Sequence, residues 1–199
     1  MPYRRSATVQ ARLDAQEETI LRVAVALLAD HGYAGLSIVA VAAEAGVATG
    51  TVYKHFASKA ELASAVFRRA VGHEVDAVVR AAAGPGSTVE RLSAAVETFA
   101  VRACKNPKLA YALLAEPVDP GVEQQRLAFR RAYARAFEAV IRDGVADGSI
   151  PAQDPALCAA AIVGAVGETL IGPLAGEPVP EAVVPEIVAF SIRALGVRE

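Results

Sequence analysis

Tryptophan is absent from this chain, and aromatic residues of all kinds make up only 6% of its 199 residues. A core without many large rings must close by other means. Abundant alanine supplies them, because it favours helix and lets helices pack closely. Cysteine occurs twice, as Cys104 and Cys158, with no CxxC or metal-type spacing. The two thiols read as small apolar side chains buried in a reducing cytoplasm. Alternation of apolar and polar residues over any useful length is missing too, so no sheet is expected. Neither sign of charge is in excess: the net charge is −2, which argues against a generic nucleic-acid coat. The three histidines, His31, His55 and His73, lie at no metal spacing, and no Glu-x-x-His repeat occurs. No nucleophile elbow and no phosphate loop is present. No metal, no cofactor and no enzymatic activity is therefore expected. The opening MPYRRSATVQ lacks the apolar core of a signal peptide.

What is present is helical periodicity broken by Gly and Pro. Residues 1–9 read as an arm whose Arg4 and Arg5 suit phosphate or a minor groove, or else a solvated tail. A first helix is predicted from Arg12 to His31, with Ile20, Ala24, Leu27, Leu28 and His31 as its buried stripe. Ser37 suits an N-cap. Ser58 followed by Glu61 forms a capping-box pattern, opening a helix whose stripe is Leu62, Val66, Ala70 and His73. Further helices are expected at Thr88–Lys105, from Pro107 to Leu114, from Val122 to Val145, across 156–171 and from Glu181 to Leu195. In the helix from Val122, Leu127, Phe129, Tyr133, Phe137, Val140 and Ile141 are the expected core face. Arg126, Arg130, Arg131, Arg135 and Arg142 are expected on the solvated sides. The class is all-α, with about nine helices.

The most informative stretch is AVAAEAGVATGTVYKHF, Ala40 to Phe56. Val41, Ala42 and Ala45 share one helical face. Gly46 suits the left-handed conformation that ends a helix. In the next run Val52 and Phe56 face inward, while Thr49, Thr51, Tyr53, Lys54 and His55 spread over the exposed side. One helix braces and a second presents polar side chains to the major groove, which is the chemistry of a helix-turn-helix. Residues 1–60 hold six Lys/Arg against five Asp/Glu, and residues 61–199 hold fourteen against seventeen. The asymmetry is small but has the sign expected of a DNA reader at the N-terminal end.

The segment SIVAVAAEAGVATGTVYKHFASKAEL, Ser37 to Leu62, resembles the DNA-binding segment of the TetR/AcrR family of bacterial transcriptional repressors. Gly32-Tyr33, Ser37, Ala42, Ala45-Gly46-Val47, Gly50-Thr51-Val52-Tyr53, His55-Phe56, Ser58-Lys59 and Glu61-Leu62 carry the likeness, which covers roughly residues 10–70. It departs at Val39 and Ala40, where the family often has arginine or aspartate. It departs also at Ala48, where a small hydroxyl is usual, leaving Thr49 to supply any cap. The resemblance implies a three-helix DNA-binding domain over 1–57 and a helical effector-binding and dimerisation domain over 58–199. Ser37 and Lys59 are then phosphate contacts beside the Thr49, Thr51, Tyr53, Lys54 and His55 set, and the partner is double-stranded operator DNA.

The remaining helices suggest the rest of such a regulator. Phe99, Tyr111, Phe129, Tyr133 and Phe137 are candidate pocket liners between the helices from Thr88, Pro107 and Val122, and equally ordinary core. Few charges accompany them, so the expected effector is a small apolar molecule. Residues 156–171 are nearly all apolar, but Glu168 and the absence of an interfacial aromatic belt argue against a membrane span. Ala159, Ala160, Gly164 and Gly167 instead allow another helix close. With Val184, Ile187, Val188, Ser191 and Leu195 they suggest half of a four-helix homodimer interface. The expected function is a one-component repressor released from a palindromic operator by its effector. A helical-bundle enzyme and a ligand-independent DNA-binding protein are the alternatives.

Overall fold

A computed structural model of the chain describes residues 7–176, 180 and 182–197. Among them are nine helices and no strand: α1 Ala7–Gly35, α2 Ile38–Glu44, α3 Thr49–His55, α4 Lys59–Ala82, α5 Thr88–Lys105, α6 Pro107–Leu114, α7 Pro120–Asp147, α8 Pro155–Leu174 and α9 Val183–Ala194. Arg4, Arg5 and Glu181 lie outside the described residues. Helix α1 begins five residues before the expected Arg12 and carries a break at Gly32, where φ is 68°. That angle belongs to the left-handed region, which glycine enters without steric cost. His31, expected in the buried stripe, is exposed; Ile20, Val23, Ala24 and Leu28 make the stripe instead.

The short helices end and begin as their sequences require. Ser37 Oγ accepts from the Ala40 N–H at 3.1 Å, capping α2. Past its end the Gly46 N–H donates to the Ala43 carbonyl and the Val47 N–H to the Ala42 carbonyl, the paired bonds of a Schellman motif, with Gly46 at φ 66°. Helix α3 receives no side-chain cap. Ala48 holds the N-cap position, and Thr49 lies already inside the helix. Ser58 caps α4, but the reciprocal bond of a full capping box is displaced: Glu61 accepts from the Ala57 N–H, at 2.7 Å.

Two apolar cores share one long helix. The first joins Ile20, Ala24, Leu28, Tyr33, Leu36, Val41, Val52 and Phe56 of α1–α3 to Leu62, Val66 and Phe67 of α4, with Ala112 and Val122 closing it. The second gathers Val71 and Val78 of α4 with Leu92, Val96, Tyr133, Phe137, Ile141, Ile162, Val166 and Leu170. The first half of α4 thus belongs to the head and the second half to the body. His73, expected in the α4 stripe, points outward between them.

Helix α7 differs from expectation at one neighbouring pair. Leu127 is exposed, whereas Arg126 is buried, at 8% exposure. Arg126 is buried because carbonyls of α6 and of the loop after it meet its guanidinium. Helix α8 buries Ala159, Ile162, Val166, Leu170 and Leu174 on one side and leaves Leu157 68% exposed. It is the one helix among the described residues long and apolar enough to cross a membrane, a test that a core helix also passes. The α9 face expected to meet a partner is used within the chain. Ile187, Ser191 and Leu195 are buried, and α9 packs principally on α5. Phe190 faces outward, 49% exposed.

Candidate nucleic-acid interface and ligand cavity

Helix α3 stands on Val52 and Phe56, both buried. Thr49, Gly50, Tyr53 and Lys54 are its exposed residues, with Tyr53 54% exposed. Positions i, i+1, i+4 and i+5 form one face. A Cβ built on Gly50 meets nothing within 4 Å, so the fold does not itself require glycine there. The bare backbone leaves room for a close approach from outside. Thr51 is half-buried at the flank of this face.

His55 departs from the expectation that it shares the exposed side. Its side chain is 6% exposed and its ring lies against α1, with Nε2 3.2 Å from Gln16 Oε1 and Nδ1 3.5 Å from the Glu17 carboxylate. It lies about 100° around the helix from Lys54 and about twice that from Tyr53, so the helix that exposes them turns His55 inward. Its visible role is to fix α3 against α1. Ser37 is half-buried and committed to its cap. Lys59 is exposed, with Nζ 5.1 Å from the centre of the Tyr33 ring. This cation–π contact holds the ammonium beside the head.

Tyr33 is the centre of a contact between head and body that the sequence did not reveal. Its ring meets Phe67 edge-on, and its hydroxyl donates to the Asp119 carboxylate. Burial, then Asp119, pushes the phenol up to about 12. Glu116 accepts from the Tyr33 N–H at 2.8 Å and the Ala34 N–H at 3.2 Å. These are the amides that the break at Gly32 frees from the α1 ladder. A Cβ at Gly32 would lie 2.9 Å from a Glu116 oxygen, so the glycine also makes room for the carboxylate. Lys108 adds a bond to the Asp30 carbonyl.

In the body a cavity of about 190 Å³ opens between α4, α5, α6, α7 and α8. Of the five expected liners, Phe99, Phe129 and Tyr133 are on its wall. Tyr111 and Phe137 are not: Phe137 is 1% exposed in the core, and Tyr111 packs half-buried against that core. Both lie on helices that line the cavity, but their faces point elsewhere. Phe99 and Tyr133 meet edge-on with centroids 4.8 Å apart. Val71, Leu109, Leu113, Leu114, Val163 and Ile171 extend the apolar surface.

The expectation of scarce charge does not hold at this wall. Glu74, Arg102, Arg126, Arg130 and Glu168 all line the cavity. Periodicity on single helices could not gather these residues, which come from four helices. Arg102 grips Glu74 with two bonds, of 2.5 and 2.9 Å, and Glu74 holds the guanidinium proton more firmly. Arg130 and Glu168 form no ion pair among the described residues. The Tyr133 hydroxyl likewise has no hydrogen-bond partner among them, and burial, then Glu74, raises its pKa. It therefore stays a neutral donor throughout the physiological range. Gly164 and Gly167 of α8 also line the cavity, and nothing within the chain approaches their Cβ positions.

Comparison with known proteins agrees with this layout. Residues 20–66 match the family described as bacterial regulatory proteins, tetR family, and residues 85–170 match the tetracyclin repressor-like C-terminal domain. The HTH-type transcriptional activator FasR of Mycolicibacterium smegmatis is 36% identical over 86 residues, 43% of this chain and 39% of that protein. The chain thus spans well under half the length of this relative. The fatty acid metabolism regulator protein of Bacillus subtilis is 23% identical over 154 residues, 76% of this chain and 79% of that protein. A structure of FadR from Bacillus subtilis in complex with stearoyl-CoA superposes with a TM-score of 0.73 at 21% identity, covering 90% of this chain and 95% of that one.

Proposed function

The chain belongs to the tetR family of bacterial regulatory proteins, related to regulators of fatty acid metabolism, and on that premise we propose that it is a cytoplasmic repressor, binding a palindromic operator as a homodimer and released by a small effector. The observation that carries the DNA reading is the α3 face of Thr49, Gly50, Tyr53 and Lys54, exposed above a buried Val52 and Phe56. Thr49 and Thr51 suit base edges and thymine methyl groups. Tyr53, Lys54 and Lys59 suit phosphates, which fix register without reading sequence. His55 acts in this reading as a brace for α3, and Ser37 acts through the start of α2.

The homodimer rests on α8 and α9. Leu157 and Phe190 are large apolar side chains left in water by the single chain. Two heads must then stand about 34–36 Å apart to enter successive major grooves. The effector reading rests on the body cavity. Its wall is mostly apolar, and the stearoyl-CoA held by the Bacillus subtilis structure supports a ligand with a long apolar body. The unpartnered Tyr133 hydroxyl adds a requirement for a hydrogen-bond acceptor on that body. Release occurs if the ligand favours a spacing of the heads that fits DNA poorly.

The test of the DNA reading is selection of a duplex from a random-sequence pool, then titration by gel shift. Tyr53→Ala with Lys54→Ala should weaken binding at least about tenfold, the loss of two charge-assisted or phenolic phosphate contacts. Unchanged affinity would mean that α3 is not the reading helix. Activation is a second reading, favoured by the match to a protein described as an activator. A promoter–reporter fusion carrying the selected site separates the two by sign.

A further inference from the structure

Arg126 is the one buried charged residue of the described chain whose guanidinium is used almost wholly on backbone. Its Nε donates to the Leu113 carbonyl at 2.9 Å, and its Nη2 donates to the Ala112 and Glu116 carbonyls at 3.2 and 2.8 Å. Its Nη1 pairs with Glu123 at 2.6 Å. Carbonyls 112 and 113 lie in the last turn of α6, where helix carbonyls lack partners of their own. Arg126 also lines the cavity. Glu116 is therefore held from two sides. Its carbonyl is on Arg126, and its carboxylate takes the Tyr33 and Ala34 amides at the end of α1. A single residue joins the cavity wall to the head.

We propose that Arg126 and Glu116 are positioning residues that carry the state of the cavity to the DNA-binding head. Arg126 fixes the end of α6 and the Glu116 backbone. Glu116 in turn fixes the last turn of α1, which carries Tyr33 and, through its ring, sets Lys59. A ligand that draws the guanidinium away, or shifts the α6 end by a fraction of an ångström, loosens the clasp on Tyr33 and Ala34. A fork of three backbone bonds is either made or lost, so the response is closer to two-state than graded. The inference rests on the effector reading for its purpose, but the link itself exists in the free protein and is tested there.

The test is amide hydrogen exchange on the full free chain, needing neither operator nor effector. Rates at Tyr33 and Ala34 are compared in wild type, Glu116→Gln, Arg126→Lys, the double variant and Arg130→Gln. Lysine keeps the charge of Arg126 but lacks the fork. Arg130 lines the same cavity and makes no hydrogen bond or ion pair with Glu116. Rates are taken relative to the slowest amides of residues 92–100 in the second core, so a general loss of stability cancels. E116Q and R126K should each speed exchange at the two amides by about tenfold, as expected for a lost bond to a charged acceptor. The double variant should be little faster than either alone, and R130Q should match wild type. The proposal is overturned if R126K leaves Tyr33 and Ala34 at the wild-type rate, or if the two changes add. Either result would leave the DNA and effector readings standing, because those are tested by operator titration.

Discussion

At the scale of single residues, the informative positions are those where a side chain is committed to something distant in sequence. Tyr33 is 83 residues from the carboxylate that takes its amide and 86 from the one that takes its hydroxyl. Its phenol is raised from 10 to about 12. A raised folded-state value means that the neutral form is favoured by folding. The stability is fully present below pH 10 and is lost as pH rises through 12. Tyr33→Phe should therefore flatten the alkaline limb of the stability curve between these values, as well as costing about 1–2 kcal/mol at neutral pH for the lost bond. Urea unfolding across that range checks it, and equal alkaline slopes for the two proteins would count against the assigned environment. Local chemistry was legible in the sequence, including the Ser37 and Ser58 caps, the turn at Gly46 and the inward Val52 and Phe56. His55 and Arg126 were not, because polarity alone does not say which polar residue finds a buried partner. His55 turns in because α1 offers Gln16 and Glu17, and Arg126 because α6 offers bare carbonyls.

At the scale of elements, the helix order and most boundaries come from periodicity and from Gly and Pro, as at α5 and α6. The partner of each helix face is less legible. The α9 face read as an interface closes on α5, since an apolar stripe carries no label for its partner. The outward Leu157 of α8 and Phe190 of α9 replace it as the candidate contact. Leu157→Arg with Phe190→Arg should raise the dimer dissociation constant at least about tenfold, as buried apolar anchors do when replaced by charge. Both residues are exposed in the single chain, so its folding should be little affected. Sedimentation equilibrium reads the result. A monomeric wild type at micromolar concentration, or an unaltered dimer in the variant, would move the interface elsewhere.

At the scale of the whole molecule, α4 spans both cores and the Glu116 clasp adds a second tie between head and body. The clasp is a property of no single segment, which is why the sequence suggested a pocket but not its charged wall or its link to α1. The cavity and the α3 face make one account only if occupancy of the first changes the affinity of the second. The direct measurement is operator binding, by anisotropy of a labelled selected duplex, with and without each compound that raises the melting temperature. Stearoyl-CoA and a set of apolar acids and alcohols serve as the panel. At least one stabilising compound should weaken operator binding about tenfold or more, within the typical coupling range of about 1–3 kcal/mol. Phe99→Ala with Tyr133→Ala should remove this response and leave the affinity of the free protein nearly unchanged. If every compound that stabilises the protein leaves operator affinity untouched, the cavity is a binding site but the chain is not a sensor.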